Sequence, residues 1–177
     1  MNPMMHHDAQ AWLSPPAESR ALELLPGDVA AGSLGDSFRT LLGSCIAVLL
    51  TDPRRTVGAM CHIVHAGDAP PEQAGDTAWA QPALEDLFAR LQHMGISPQL
   101  CEAYVYGGGN MFPEQFGHGH VGEDNAAWVQ AFLQLHGIPV VDAQTGGAGY
   151  RKVRWTVGAH APEVDFVTGT LEPAHAG

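Results

Sequence analysis

The segment "CIAVLLTDPRRTVGAMCHIVHAGD", Cys45–Asp68, holds two apolar runs separated by Asp-Pro and a pair of arginines. Runs of this length bounded by turn residues read as buried strands, and so short a charged connection makes them neighbours in a hairpin. Side chains alternate across a strand, so Val57, Ala59, Cys61 and Ile63 share one face of the second run, while Gly58, Met60, His62 and Val64 share the other. Cys61 and His62 therefore point in opposite directions.

Outward from the hairpin, the covering elements are legible. Between Asp76 and Met94, Leu84, Leu87, Phe88 and Leu91 recur at helical spacing and Gly95 supplies the stop. Pro82 fits near a first turn and would bend a helix beginning at Asp76. "LCEAYVYGGGNMF" (Leu100–Phe112) reads as a strand running into three glycines, where the backbone turns sharply or passes close to something. A second helix is expected over about 123–136, with Trp128, Phe132 and Leu135 as its apolar stripe and Gly137-Ile138-Pro139 as its end. "IPVVDAQTGG" then reads as strand and turn, and "YRKVRWTVG" with "EVDFVTGTL" as a closing hairpin. Upstream, "GDVAAGSLGDSFRT" (Gly27–Thr40) reads as a short strand and a turn, and "SRALELL" (Ser19–Leu25) as a helical turn or an added strand. The order of strands, helix, strand, helix, strands lacks regular βαβ alternation, so the expected class is α+β, a layered domain. Residues 1–26 are expected to be a variable N-terminal extension and residues 27–177 a single domain.

Composition narrows the function classes. The chain of 177 residues carries eight Lys and Arg against nineteen Asp and Glu, a formal charge of -11 with no basic run, so nucleic acid is not an expected partner. No apolar segment is long enough to cross a bilayer, and the N-terminus lacks a basic start and a secretory core, which predicts a cytoplasmic protein without membrane insertion. Cys45, Cys61 and Cys101 lie far apart with no CxxC pairing, so they read as free thiols.

Chemistry can enter at few places. Gly43-Ser44 before Cys45 permits a tight turn whose amides could face an oxyanion, and His62 on the neighbouring strand could reach across as a base. The alternative is a core thiol and a half-buried histidine with a backbone partner. Cys61 and Cys101, within apolar strand patterns, read as structural. His62 and His65, with His118, His120, Asp68 or Glu123, supply metal-type ligands, but residues three apart on a strand face opposite sides and HEXXH is absent, so no metal is expected. Gly107, Gly108 and Gly109 with Asn110 lack the Walker ending and read as a tight turn lining a pocket.

The ordered set "TLLGSC", "DP", "VGAMCH", "DTA", "GGGNMF", "VGEDN" and "TGG" followed by Arg151, spread over Gly27 to Leu171, resembles the CheD family of chemoreceptor glutamine deamidases. The resemblance implies a layered α/β sandwich with mixed β-sheets and two main flanking helices, similar to toxin-type cysteine deamidases. It implies a Cys-His hydrolase without cofactor that converts receptor glutamines to glutamates, with Cys45 as nucleophile, His62 as base and Thr40 as the residue orienting it. Gly43, Ser44, Gly107 and Gly108 are the accompanying candidates for oxyanion or pocket contacts. Implied partners are the cytoplasmic helices of methyl-accepting chemoreceptors and, in some organisms, a CheC-type phosphatase. The rival expectation is an interaction module that binds such a phosphatase or receptor with little catalysis.

Overall fold

The computed structural model describes residues 18–169; most of the expected N-terminal extension, residues 1–17, lies outside them, as do residues 170–177. Nine strands and two long helices follow in chain order: β1 (Ala21–Leu24), β2 (Val29–Ser33), β3 (Ser37–Leu42), β4 (Ile46–Thr51), β5 (Val57–Ile63), α1 (Ala80–His93), β6 (Glu102–Gly107), α2 (Val121–Leu135), β7 (Val140–Thr145), β8 (Gly149–Thr156) and β9 (Glu163–Thr168). They form an α+β fold with two mixed sheets. One sheet has the order β2-β5-β4-β6-β7 and the other β1-β3-β8-β9.

The Cys45–Asp68 segment forms the antiparallel hairpin β4–β5, with Ala47 opposite His62 and Val48 opposite Cys61. It sits in the middle of the five-stranded sheet, and every residue of both strands is buried. One face of that sheet packs on the helices: Val48, Leu50, Ala59, Cys61 and Ile63 meet Leu84, Leu87 and Leu91 of α1 and Val129, Phe132 and Leu133 of α2. The other face packs on the four-stranded sheet: Ala47, Leu49, Met60, Tyr104 and Tyr106 meet Phe38, Leu42, Val153 and Trp155. The result is three layers, helices on sheet on sheet. Each large aliphatic side chain buried this way stabilises the fold by roughly 1.5–3 kcal/mol relative to its exposed state. A central sheet covered on both sides explains why these strands read as unbroken apolar runs, while the outer β8 alternates between buried and solvent-facing residues.

Two local points that the sequence left open have simple resolutions. Helix α1 starts at Ala80, not near Asp76, because Pro82 suits a first turn and residues 71–73 form a separate 3-10 turn. Ser19–Leu25 resolves in favour of a strand: β1 pairs in parallel with β3, setting Leu24 beside Thr40. The hydrogen-bonded sheet thus takes in residues ahead of position 27. Gly58, a glycine inside a buried strand, marks where the outer edge of the Trp155 indole and the Val157 side chain of the other sheet leave no room for a Cβ.

Candidate active site

His62 follows from strand parity. It is on the face of β5 that looks between the two sheets, is only 2% exposed, and shares that face with Met60. Cys45, just before β4, lies two residues from Ala47, the residue opposite His62, so nucleophile and base candidates are diagonal neighbours on one face of the hairpin. Cys45 packs partly against the same inter-sheet cluster and remains partly exposed. Cys61 and Cys101 are fully buried, and burial pushes their thiols up to about 12 and about 11 respectively. Neither forms a thiolate near neutral pH.

The third residue comes from the other sheet. Thr40 is an inward-facing position of β3, and its hydroxyl lies 2.8 Å from His62 Nδ1 and 2.7 Å from the Leu24 carbonyl oxygen. A carbonyl only accepts, so the single hydroxyl proton goes to Leu24 and the Thr40 oxygen accepts from Nδ1–H. This fixes the tautomer: the proton sits on Nδ1, and Nε2 carries a free lone pair. Nε2 is buried and has no hydrogen-bond partner among the described residues. Burial holds the imidazole below its usual histidine range, against the opposing pulls of the Leu24 carbonyl and the Asp28 charge. Burial likewise pushes the Cys45 thiol up. The resting pair is therefore neutral thiol and neutral imidazole, with the imidazole in the form that accepts a proton.

The turn Gly43-Ser44-Cys45 is held by its carbonyls. Gly109 N–H donates to Gly43 O (2.9 Å) and Gly108 N–H to Cys45 O (2.9 Å). The Asn125 amide of α2 donates to Ser44 O (3.0 Å) and to Val64 O (3.0 Å). Among the described residues the Ser44 and Cys45 amides donate to no protein acceptor, which leaves two N–H groups beside the thiol. The glycines act through their backbone: Gly107 (φ 117°) and Gly108 (φ 62°) adopt left-handed conformations, and a Cβ on Gly107 would collide with the Cys45 carbonyl. Behind them the buried Arg151 donates to Gly107 O at 3.1 Å and lies over the Phe166 ring.

Ser44 also lines a recess of about 310 Å3 with Asn110, Met111, Phe112, Phe116, His120 and Val121. Its rim is apolar, since Phe112, Phe116 and Val121 are each more than half exposed. The histidines considered as metal ligands go separate ways: His65 stacks on Trp79 at 4.6 Å, whereas His118 and His120 approach Glu123. Sequence reasoning placed Thr40, Cys45 and His62 and missed Asn125 and the Leu24 carbonyl. Asn125 did leave a signal, a polar residue on the sheet-facing side of α2 within "VGEDN". The Leu24 carbonyl left none, because every residue has one.

The sequence profile described as "CheD chemotactic sensory transduction" matches residues 66–161, which include Gly107, Gly108, Asn125 and Arg151 and begin after Thr40, Cys45 and His62. The chain is 35% identical over 138 residues to a protein of Albidiferax ferrireducens named probable chemoreceptor glutamine deamidase CheD 2, covering 76% of this chain and 80% of that one. It is 36% identical over 151 residues to a Rhizobium rhizogenes protein named probable chemoreceptor glutamine deamidase CheD, covering 82% and 79%. Among solved structures, a Neisseria meningitidis protein of the family model DUF152 aligns with a TM-score of 0.45 and 16% identity over 74% of this chain and 65% of that chain. The extent of the profile match and the identity to these relatives over most of both chains show that the chain belongs to the CheD family.

Proposed function

We propose that this chain is a cysteine hydrolase that deamidates glutamine side chains in the cytoplasmic helices of chemoreceptors, in line with the names of its relatives, probable chemoreceptor glutamine deamidases. The observation that carries the proposal is the tautomer of His62, locked by Thr40 and Leu24 so that an unpartnered Nε2 shares a face with Cys45.

In the reaction, Nε2 takes the Cys45 thiol proton as sulfur bonds to the carboxamide carbon. The oxygen becomes an oxyanion facing the Ser44 and Cys45 amides, which stabilise it by direct hydrogen bonding. Nε2–H then returns the proton to the departing nitrogen and ammonia leaves, giving a glutamyl thioester. A water deprotonated by Nε2 attacks the thioester, the C–S bond breaks, and the proton returns to sulfur. Glutamate and the free thiol result. Thr40 keeps Nδ1–H directed throughout and stabilises the imidazolium that forms at each transfer.

A carboxylate in place of a neutral amide changes the charge of a receptor helix and supplies a methyl-acceptor group, which would make the reaction an input to chemotaxis signalling in the cytoplasm. The apolar rim formed by Phe112, Phe116 and Val121 beside Ser44 offers a surface for the apolar side of such a helix. The test is incubation with receptor cytoplasmic fragments followed by mass analysis. Each converted glutamine gains about one dalton as NH2 becomes OH, and Cys45→Ala abolishes the gain. Undiminished deamidation by Cys45→Ala would remove the nucleophile assignment, and binding to the receptor or to a CheC-type phosphatase without conversion would favour the interaction-module reading.

A further inference from the structure

Asn125 is fully buried in the second turn of α2, and nothing in the reaction just described uses it. Its side-chain nitrogen has two hydrogens, and both are committed: one to Ser44 O and one to Val64 O, each at 3.0 Å. The orientation of the carboxamide is forced, because turning it over would set Oδ1 against two carbonyl oxygens. Oδ1 instead lies buried with no partner among the described residues, a desolvation cost that the double donation offsets. An apolar residue at this sheet-facing position would avoid that cost, so the position is occupied for what the donors hold.

The two carbonyls belong to the nucleophile's own peptide and to the strand that carries the base. In a trans peptide, C=O and N–H point in opposite directions, and the described chain contains no cis peptide. Helix α2 packs on the helix-side face of β4 and β6, whereas Cys45 packs toward the inter-sheet face. Drawing Ser44 O toward α2 therefore turns the Cys45 N–H toward the side that bears the thiol and His62. The second donation, to Val64, ties that peptide to a point two residues beyond His62. Gly122, one turn earlier on the same side of α2, has no room for a Cβ against the Gly108 and Gly109 carbonyls, which seats the helix close enough for Asn125 to reach.

We propose that Asn125 is a positioning residue for deamidation: by clamping the Ser44 and Val64 carbonyls it aims the Cys45 amide at the oxyanion and holds nucleophile and base strands in register. This rests on the Cys45–His62 reading above. A residue that aims an oxyanion donor affects the transition state more than substrate binding or thiol reactivity.

The experiment uses the full chain and a receptor cytoplasmic fragment, with Asn125→Ala and the nearly isosteric Asn125→Leu. Expected is a fall in kcat of about tenfold to hundredfold with KM changed less than about twofold. A receptor-derived peptide bearing an aldehyde in place of the target carboxamide adds the thiol across C=O, leaving the former carbonyl oxygen at the oxyanion position. Its affinity should fall with kcat, while iodoacetamide alkylation of Cys45, which forms no oxyanion, stays within about twofold of the wild-type rate. Wild-type kcat in a folded variant overturns the proposal. So does a parallel loss of kcat and alkylation, the signature of a collapsed turn. Should neither variant fold, the wild-type chain decides: aldehyde addition must move the Cys45 amide proton to low field in its NMR spectrum, and an unmoved resonance overturns the proposal. Deamidation by Cys45→Ala would instead strike at the underlying reading and leave these outcomes distinguishable.

Discussion

On the helix side of β5, Cys61 is fully exposed to hydrocarbon: Leu84, Leu87, Leu91, Val129 and Leu133 fill the cluster it belongs to. One residue along, on the opposite side, His62 meets the Thr40 hydroxyl, which donates to the Leu24 carbonyl, and the partly exposed Cys45 packs against the cluster on that same face. The same strand thus borders an apolar layer and a layer that carries the candidate site. The difference lies in what covers each face. A helix presents side chains only, its backbone groups being consumed internally, whereas a strand pair such as β1–β3 ends in carbonyls that can still accept, as Leu24 does. A buried histidine needs a partner for its ring N–H, and in the inter-sheet layer Thr40 provides it.

The largest test of this contrast is His62→Gln, which keeps a polar side chain on the inter-sheet face and removes the base. Deamidation should fall by about 10³-fold or more, measured as ammonia release or mass gain. An active His62→Gln chain would break the assignment of chemistry to this layer. Thr40→Val comes next: the shape is kept, but Nδ1–H and the Leu24 carbonyl lose their common partner. A fall in kcat of about tenfold to hundredfold is expected, with intact binding of the receptor fragment.

The pH dependence sharpens the same point. The proposed reaction requires neutral His62, and burial lowers its pKa, so the acid limb of kcat/KM should lie below the ordinary histidine value of about 6.5. Stability follows with a defined sign. The unfolded histidine takes up a proton first as pH falls, so the His62 contribution is complete above about 6.5 and is lost on descent toward the lowered folded value. The difference in melting temperature between wild type and His62→Gln, followed across this window, reads that contribution directly; a difference independent of pH would contradict it. The smallest effect belongs to the apolar layer. Cys61→Ala should leave kcat unchanged and cost about 1–2 kcal/mol in urea denaturation through lost packing.

Much of this was legible from residues alone. The hairpin Cys45–Asp68, the opposed directions of Cys61 and His62, both helices and the closing hairpin follow from period and punctuation, because each is set by contacts between residues close in sequence. The start of α1 was readable from Pro82. The role of β1 was not, since Ser19–Leu25 suits a helical turn or a strand equally and its parallel pairing with β3 is a matter of long-range hydrogen bonding.

What the sequence by itself determined is therefore the central hairpin, the placement of Cys45 and His62 at its two neighbouring strands, and the family to which the ordered motifs belong. Tertiary structure alone decided that Thr40 of one sheet meets His62 of the other, that the Leu24 carbonyl completes that contact and fixes the imidazole tautomer, and that Asn125 reaches the Ser44 peptide from a helix 81 residues along the chain. The physical reason is that strand parity is a local property with a period of two, whereas a hydrogen bond between layers depends on how the sheets and helices are stacked and registered.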